Sequence, residues 1–120
     1  MILEAVDDEV PPPHVRYMEE AKKQSAFSKS RFRLGAVLTK RKKILGKGFN
    51  SRKTHPVFGS GKFYSLHAET HALYKAILSG YDVQGSTVYV YRSNFNLAKP
   101  CEDCEKTLRE HGISKVVYTA

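Results

Sequence analysis

What the chain lacks narrows it first. It has no apolar run near the ~18 residues that a membrane span requires, and no basic-then-apolar leader opens its acidic N-terminus. These two absences give the expectation of a cytoplasmic protein with no membrane partner. Cysteine is scarce. Only Cys101 and Cys104 occur, spaced C-x-x-C, which excludes a disulfide scaffold and leaves a metal or redox pair. Acidic residues are nearly missing from the middle: from Lys22 to Lys99 there are sixteen Lys or Arg and only two acids, Glu69 and Asp82, within a formal net charge of +8. A basic middle suits phosphate-bearing partners, from a nucleotide to a single strand of nucleic acid. Any one of these lysines equally serves solubility. No internal repeat and no second domain is visible, and a chain of this length buries roughly two-thirds of its unfolded surface without covalent staples.

What is present reads as an alternation of helices and strands. Residues 1–13 combine acids with Pro11-Pro12-Pro13 and read as an extended, poorly packed lead-in to one domain over residues 14–120. Val15, Met18 and Ala21 recur at helical spacing, predicting a helix from about His14 to Phe27. Leu34 to Thr39 and Ile44 to Phe49 read as a hairpin around the basic turn Lys40 to Lys43. Asn50 to Leu66 is a long loop carrying Ser51, Arg52, Lys53, His55 and Lys62, and loops of that length in small domains are functional or disordered. A helix follows over residues 67–78, a strand over Thr87 to Tyr91, a helix over residues 101–110 behind Pro100, and a strand over Ser114 to Tyr118. The expected order is α-β-β-α-β-α-β, with no fifth strand visible after Tyr118.

Two stretches carry chemistry. Cys101 and Cys104 are three positions apart, which places both sulfurs on one face of a first helical turn, where the helix dipole favours the thiolate. His67 at the start of another helix supplies a third ligand if the two helix starts face each other, leaving a fourth position for water on a zinc ion. Glu69 lies two residues after His67, a step of ~200° in a regular helix. Both point at one site only if His67 sits at the irregular first position. Glu69 then has the place of a general acid/base.

Three rival readings stand beside this one. A redox C-x-x-C needs neither His67 nor Glu69. His67 and His71 have the spacing of H-E-x-x-H, but Ala68 stands where that motif has its glutamate. A closed structural site would join His67, His71, Cys101 and Cys104 and leave Glu69 without a purpose.

His67-Ala68-Glu69 followed by Pro100-Cys101-Glu102-Asp103-Cys104 resembles the H-x-E…P-C-x-x-C signature of the zinc-dependent cytidine and deoxycytidylate deaminase superfamily. The resemblance runs from the first helix to Tyr118, and Leu97-Ala98-Lys99-Pro100 is similar to the short deoxycytidylate-type members. It implies an α/β, cytidine deaminase-like three-layer fold, a mixed β-sheet flanked by helices. It implies zinc held by His67, Cys101 and Cys104, with Glu69 as the acid/base. Gly48-Phe49-Asn50 resembles the family's G-aromatic-N segment, so Asn50 becomes a substrate contact, and the Ala68 N–H would meet the base carbonyl. Arg52, Lys53 or Arg92 would hold a phosphate. The implied reaction is hydrolytic deamination of a cytosine ring in a free nucleotide, dCMP to dUMP, by a homo-oligomer. The alternatives are a deaminase of cytosine or adenine in single-stranded DNA or RNA, tracked by Phe58, Phe63, Tyr64 and Phe95, and a non-catalytic zinc-stabilised binding module.

Overall fold

A computed structural model describes residues 1–51, 67–93 and 97–120. Its elements run β1 (Ile2–Val6), α1 (Pro12–Ser25), β2 (Leu34–Lys40), β3 (Lys43–Phe49), α2 (Ala68–Leu78), β4 (Thr87–Arg92), α3 (Glu102–Glu110) and β5 (Lys115–Thr119). The strands form one sheet in the order β1-β5-β4-β2-β3, with β2 antiparallel to both neighbours and β5 parallel to β1 and β4.

Alternation along the central strands decides the layers, because successive side chains point to opposite faces. Ala36 and Leu38 of β2, Val88 and Val90 of β4 and Val116 of β5 face α2 and α3, where they pack with Ala72, Leu73, Ala76 and Leu108. Val37, Tyr89, Tyr91 and Val117 face the other way, against Met18 and Ala21 of α1. The result is the three-layer mixed sheet that the deaminase resemblance implies.

One element departs from the sequence reading. Residues 1–13 are not the expected extended, poorly packed lead-in: Ile2–Val6 is a sheet strand paired residue for residue with β5 over Lys115 to Thr119, so the order begins with β, and Pro12 and Pro13 already belong to α1. The fifth strand comes from the N-terminal end of the chain. The proline run does not precede a helix at His14. Pro11 caps α1, and Pro12 and Pro13 form its first turn, where a missing N–H costs nothing. Glu4 of β1 then reaches Lys115 of β5 at 3.1 Å and His14 of α1 at 2.9 Å, and His14 Nδ1 lies 2.8 Å from the Tyr89 hydroxyl. Burial, aided by Tyr17 and the Glu4 charge, pushes that phenol up to about 12, so it stays protonated.

The basic turn at residues 40–43 carries positive φ at Arg41 (51°) and Lys42 (65°), the pattern of a two-residue hairpin. Of the described residues, none forms a helix long and apolar enough to cross a membrane. Strand β3 approaches α2 so closely that a Cβ at Gly48 would lie 2.5 Å from the Ala72 nitrogen and 2.7 Å from the Ala68 carbonyl oxygen. That approach fixes where α2 begins.

Candidate metal centre and active site

Both helices that carry the motif start at the same end of the sheet. Chain leaving β3 reaches α2, and chain leaving the parallel strand β4 reaches α3. His67 is the residue that caps α2, with extended backbone (φ −83°, ψ 147°), and Cys101 caps α3 in the same way (φ −65°, ψ 165°). This is the irregular first position that the His67/Glu69 spacing demands. A regular helix would have turned the two side chains apart.

Across the gap, His67 Nδ1 lies 3.0 Å from Cys104 Sγ and 3.7 Å from Cys101 Sγ, and the three ligand atoms all lie within 4.8 Å of one another. The Cys104 N–H donates to Cys101 Sγ at 3.4 Å, so the first turn of α3 holds that sulfur in place. Cys101 is exposed and Cys104 buried. Glu69 Oε1 is 3.7 Å from His67 Nδ1, while its other oxygen, Oε2, is buried with no hydrogen-bond partner among the described residues. The carboxylate is 3% exposed.

Such a group is electrostatically incomplete. Burial first, then the Glu69 charge, push the Cys104 thiol far above its ordinary range. The hydrogen bond with Glu69 raises His67 against the opposing effect of burial, helped by the Glu69 and Asp103 charges. Two thiols, an imidazole and a carboxylate packed together call for a cation, and imidazole with paired thiols is a donor set that zinc binds with deprotonated sulfur. The residues present therefore fit a zinc ion.

The rival ligand set does not assemble. His71 lies outside the ligand group, with its Nδ1 3.1 Å from both the backbone N and O of Phe49 and its ring edge-on to that phenyl at 5.3 Å. Ala68 is 1% exposed and is the first residue of α2, where backbone N–H groups lack an intrahelical acceptor. Arg92 closes β4, its Nη1 donating to the Leu97 carbonyl at 3.2 Å and its guanidinium lying 4.5 Å from the Phe32 ring centre. Asn50 follows β3 directly, and its side chain bonds to the 28–34 segment. Arg52, Lys53, Phe58, Phe63, Tyr64 and Phe95 lie outside the described residues. Sequence reasoning missed Ser28 and Phe32, although a buried serine and an exposed phenylalanine in a basic connector were readable as unusual only once β2 and β3 were paired.

Residues 12–120 match the family described as the cytidine and deoxycytidylate deaminase zinc-binding region. Among curated relatives, the deoxycytidylate deaminases of Enterobacteria phages T2 and T4 are each 40% identical over 53 residues, 44% of this chain. The matched stretch spans about a quarter of those relatives' length, 25% and 24%. Among solved structures, the apo dCMP deaminase of cyanophage S-TIM5 superposes with a TM-score of 0.69 at 31% identity, covering 89% of this chain and 82% of that one. A cytidine deaminase from Burkholderia pseudomallei gives 0.69 at 25% identity, covering 88% and 84%. With a match over all but its first eleven residues, a three-layer fold in common and a histidine and two cysteines gathered between two helix starts, the chain belongs to the cytidine and deoxycytidylate deaminase family.

Proposed function

We propose that this protein hydrolyses the 4-amino group of a cytosine ring in a free nucleotide, converting dCMP to dUMP with release of ammonia. The observation that carries the reading is Glu69: a buried carboxylate with one unpartnered oxygen beside an imidazole and two thiols. A structural metal site has no use for it. The S-TIM5 relative, also solved in complex with dCMP and dUMP at 28% identity, supports the nucleotide as substrate.

His67, Cys101 and Cys104 would hold the zinc. When bound, the metal supplies the Lewis acidity that lets water act as a nucleophile near neutral pH. In the proposed reaction the bond from water oxygen to C4 forms and the bond from C4 to the amino nitrogen breaks. Glu69 takes a proton from the attacking water and delivers it to the ring nitrogen, then moves the second proton to the departing amine. Its burial keeps bulk water from competing for those protons. The Ala68 N–H is proposed to meet the base carbonyl, and Arg92, Arg52 and Lys53 are proposed phosphate contacts. A homo-oligomer belongs to the same proposal, and light-scattering mass tests it.

Glu69→Ala is expected to retain one zinc per chain and lose at least 10²-fold in turnover of dCMP, the share a positioned acid/base supplies. Metal content by elemental analysis and ammonia release check it. Turnover preserved in this variant would overturn the mechanism. Assayed side by side, cytidine, dCMP and single-stranded oligonucleotides should give dCMP the highest kcat/KM. An oligonucleotide winning that comparison would move the reading to nucleic acid, and no turnover of any would leave a zinc-stabilised binding module.

A further inference from the structure

The basic turn between β2 and β3 takes no part in the site described above. Lys40 pairs with Lys43 at one end of the hairpin and Gly35 with Phe49 at the other, and α2 begins beside Gly48. At ~3.3 Å per strand residue the tip stands roughly 15–20 Å from that helix start, at the opposite end of the sheet. Arg41 and Lys42 occupy both central positions of the turn, with φ of 51° and 65°. A two-residue turn with both values positive selects Asn-Gly or Asp-Gly, because left-handed backbone crowds the Cβ of a bulkier residue. Two long cations in those places work against the fold.

The flanking cations are held. Lys40 Nζ donates to the Asp82 carbonyl at 3.2 Å and lies 3.5 Å from Asp82 Oδ2, and Lys43 Nζ lies 4.5 Å from the centre of the Tyr81 ring. Both anchors belong to one segment, which braces the hairpin. Arg41 and Lys42 are exposed and enter no ion pair among the described residues. Between Lys22 and Lys99 the chain has two acids, of which Glu69 lies in the metal centre and Asp82 is taken by Lys40. Protection against edge-to-edge pairing does not account for the tip. Lys43 and Lys47 already place charge along the edge strand β3, and Asn-Gly would close the turn without them.

We propose that this tip is a second binding site, a prong that grips the sugar–phosphate backbone of duplex nucleic acid without reading its sequence. The ligand class follows from charge density and shape. Four cations on four successive residues lie within ~10 Å, and a duplex carries one negative charge per ~1.7 Å of axis beside a groove ~12 Å wide that admits a two-stranded ribbon. A single strand calls for a stacking platform, and Tyr81, the ring beside the tip, has Lys43 lying over it. Arg41 and Lys42 neutralise phosphates, contacts that position a protein on nucleic acid without selecting bases. The site is independent of the reaction at the metal centre.

The test uses the zinc-loaded protein and the double variant Arg41→Asn/Lys42→Gly, which installs the residues that the turn prefers and so keeps the hairpin closed. Its urea midpoint should equal or exceed that of wild type. Its affinity for a fluorescent DNA duplex of about 20 base pairs, measured by anisotropy at about 50 mM salt, should be lower by about tenfold or more. The slope of log affinity against log salt should become shallower by about 1.8, two phosphates at ~0.9 each. Arg41→Lys/Lys42→Arg, which keeps both charges, should bind as wild type does, and duplexes of unrelated sequence should bind alike. Turnover of dCMP should stay at the wild-type level in both variants. Duplex affinity and slope unmoved in the first variant would overturn the proposal, as would displacement of the duplex by dCMP, which would put binding at the metal centre. Poly-glutamate bound more tightly than the duplex through the same two residues would overturn the ligand in favour of an acidic protein. Phosphatidylserine vesicles bound in place of the duplex would overturn it in favour of a membrane surface. A urea midpoint below wild type, with duplex affinity intact, would show that the two side chains serve the fold.

Discussion

His67 and His71 are chemically identical and one turn apart, yet the structure sends them to different partners. The cause is the backbone at a single residue: His67 is extended before α2 begins and its Nδ1 reaches both sulfurs, whereas His71 is within the helix and meets the Phe49 backbone. His67→Ala should therefore lose zinc, and His71→Ala should keep one zinc per chain while losing about 1 kcal/mol of stability, the usual worth of a hydrogen bond. Elemental analysis and urea unfolding measure the two effects. Zinc lost from His71→Ala would bring the closed four-ligand site back. At this scale the gathering of His67, Cys101 and Cys104 between two helix starts was readable in advance, because C-x-x-C and H-x-E are local spacings whose geometry a helix start dictates. The commitments of Asn50 and Arg92 were not. Asn50 meets Ser28 and Arg92 meets Phe32 across twenty-two and sixty positions of sequence, and only strand pairing brings them together.

At the scale of elements, the alternation of apolar residues foretold seven of the eight helices and strands among the described residues, each to within two positions of where it lies. Strand β1 escaped for a physical reason. Its single neighbour, β5, is over a hundred residues away, and its burial runs from exposed Ile2 to buried Val6 without strict alternation. Its Glu4 gives a pH test. Lys115 first, and His14 after it, hold that carboxyl below its ordinary 4.5 against a desolvation cost. The folded value lies below the unfolded one, so the pairing stabilises fully above about pH 4.5 and fades as pH falls through the folded value. Glu4→Gln should cost about 0.5–1 kcal/mol at neutral pH, as partly exposed pairs do, and almost nothing near pH 2. Urea titrations at both pH values compare them. A cost that persisted in acid would mean that the side chain acts by packing.

The contact of β3 with α2 is the element-level link between fold and site. A methyl group at Gly48 would sit 2.5 Å from the Ala72 nitrogen and 2.7 Å from both the Ala68 carbonyl oxygen and His71 Cβ. Two of those three atoms are helix backbone, so α2 itself must move. Gly48→Ala is expected to cost about 1–3 kcal/mol, the range for overpacking. It should also weaken zinc binding, because His67 rides on the displaced helix start. A loss of stability with unaltered zinc affinity would show that His67 is set by the preceding chain instead. The glycine was visible in the sequence only as part of a G-aromatic-N resemblance, whereas its packing role depends on which helix covers the strand.

For the whole molecule, the decisive quantity is the charge of +8, whose cations crowd the middle of the chain. Those middle residues include Arg31, Arg33 and Arg92 at the sheet end where α2 and α3 begin, which also holds Glu102, Asp103 and Glu105 in the first turn of α3; Glu4 and Glu20 are engaged by Lys115 and Lys47. The net positive field would concentrate the proposed anionic nucleotide near the site, and salt screens it over ~10 Å at about 0.1 M. The kcat/KM for dCMP should then fall several-fold between about 20 and 200 mM monovalent salt, whereas that for cytidine, which lacks the phosphate, should stay level. Run in parallel on one enzyme preparation, the two substrates cancel any salt effect on stability or zinc content, leaving the phosphate as the difference. Equal slopes would assign the lysines and arginines to solubility and leave substrate capture to contacts within the pocket.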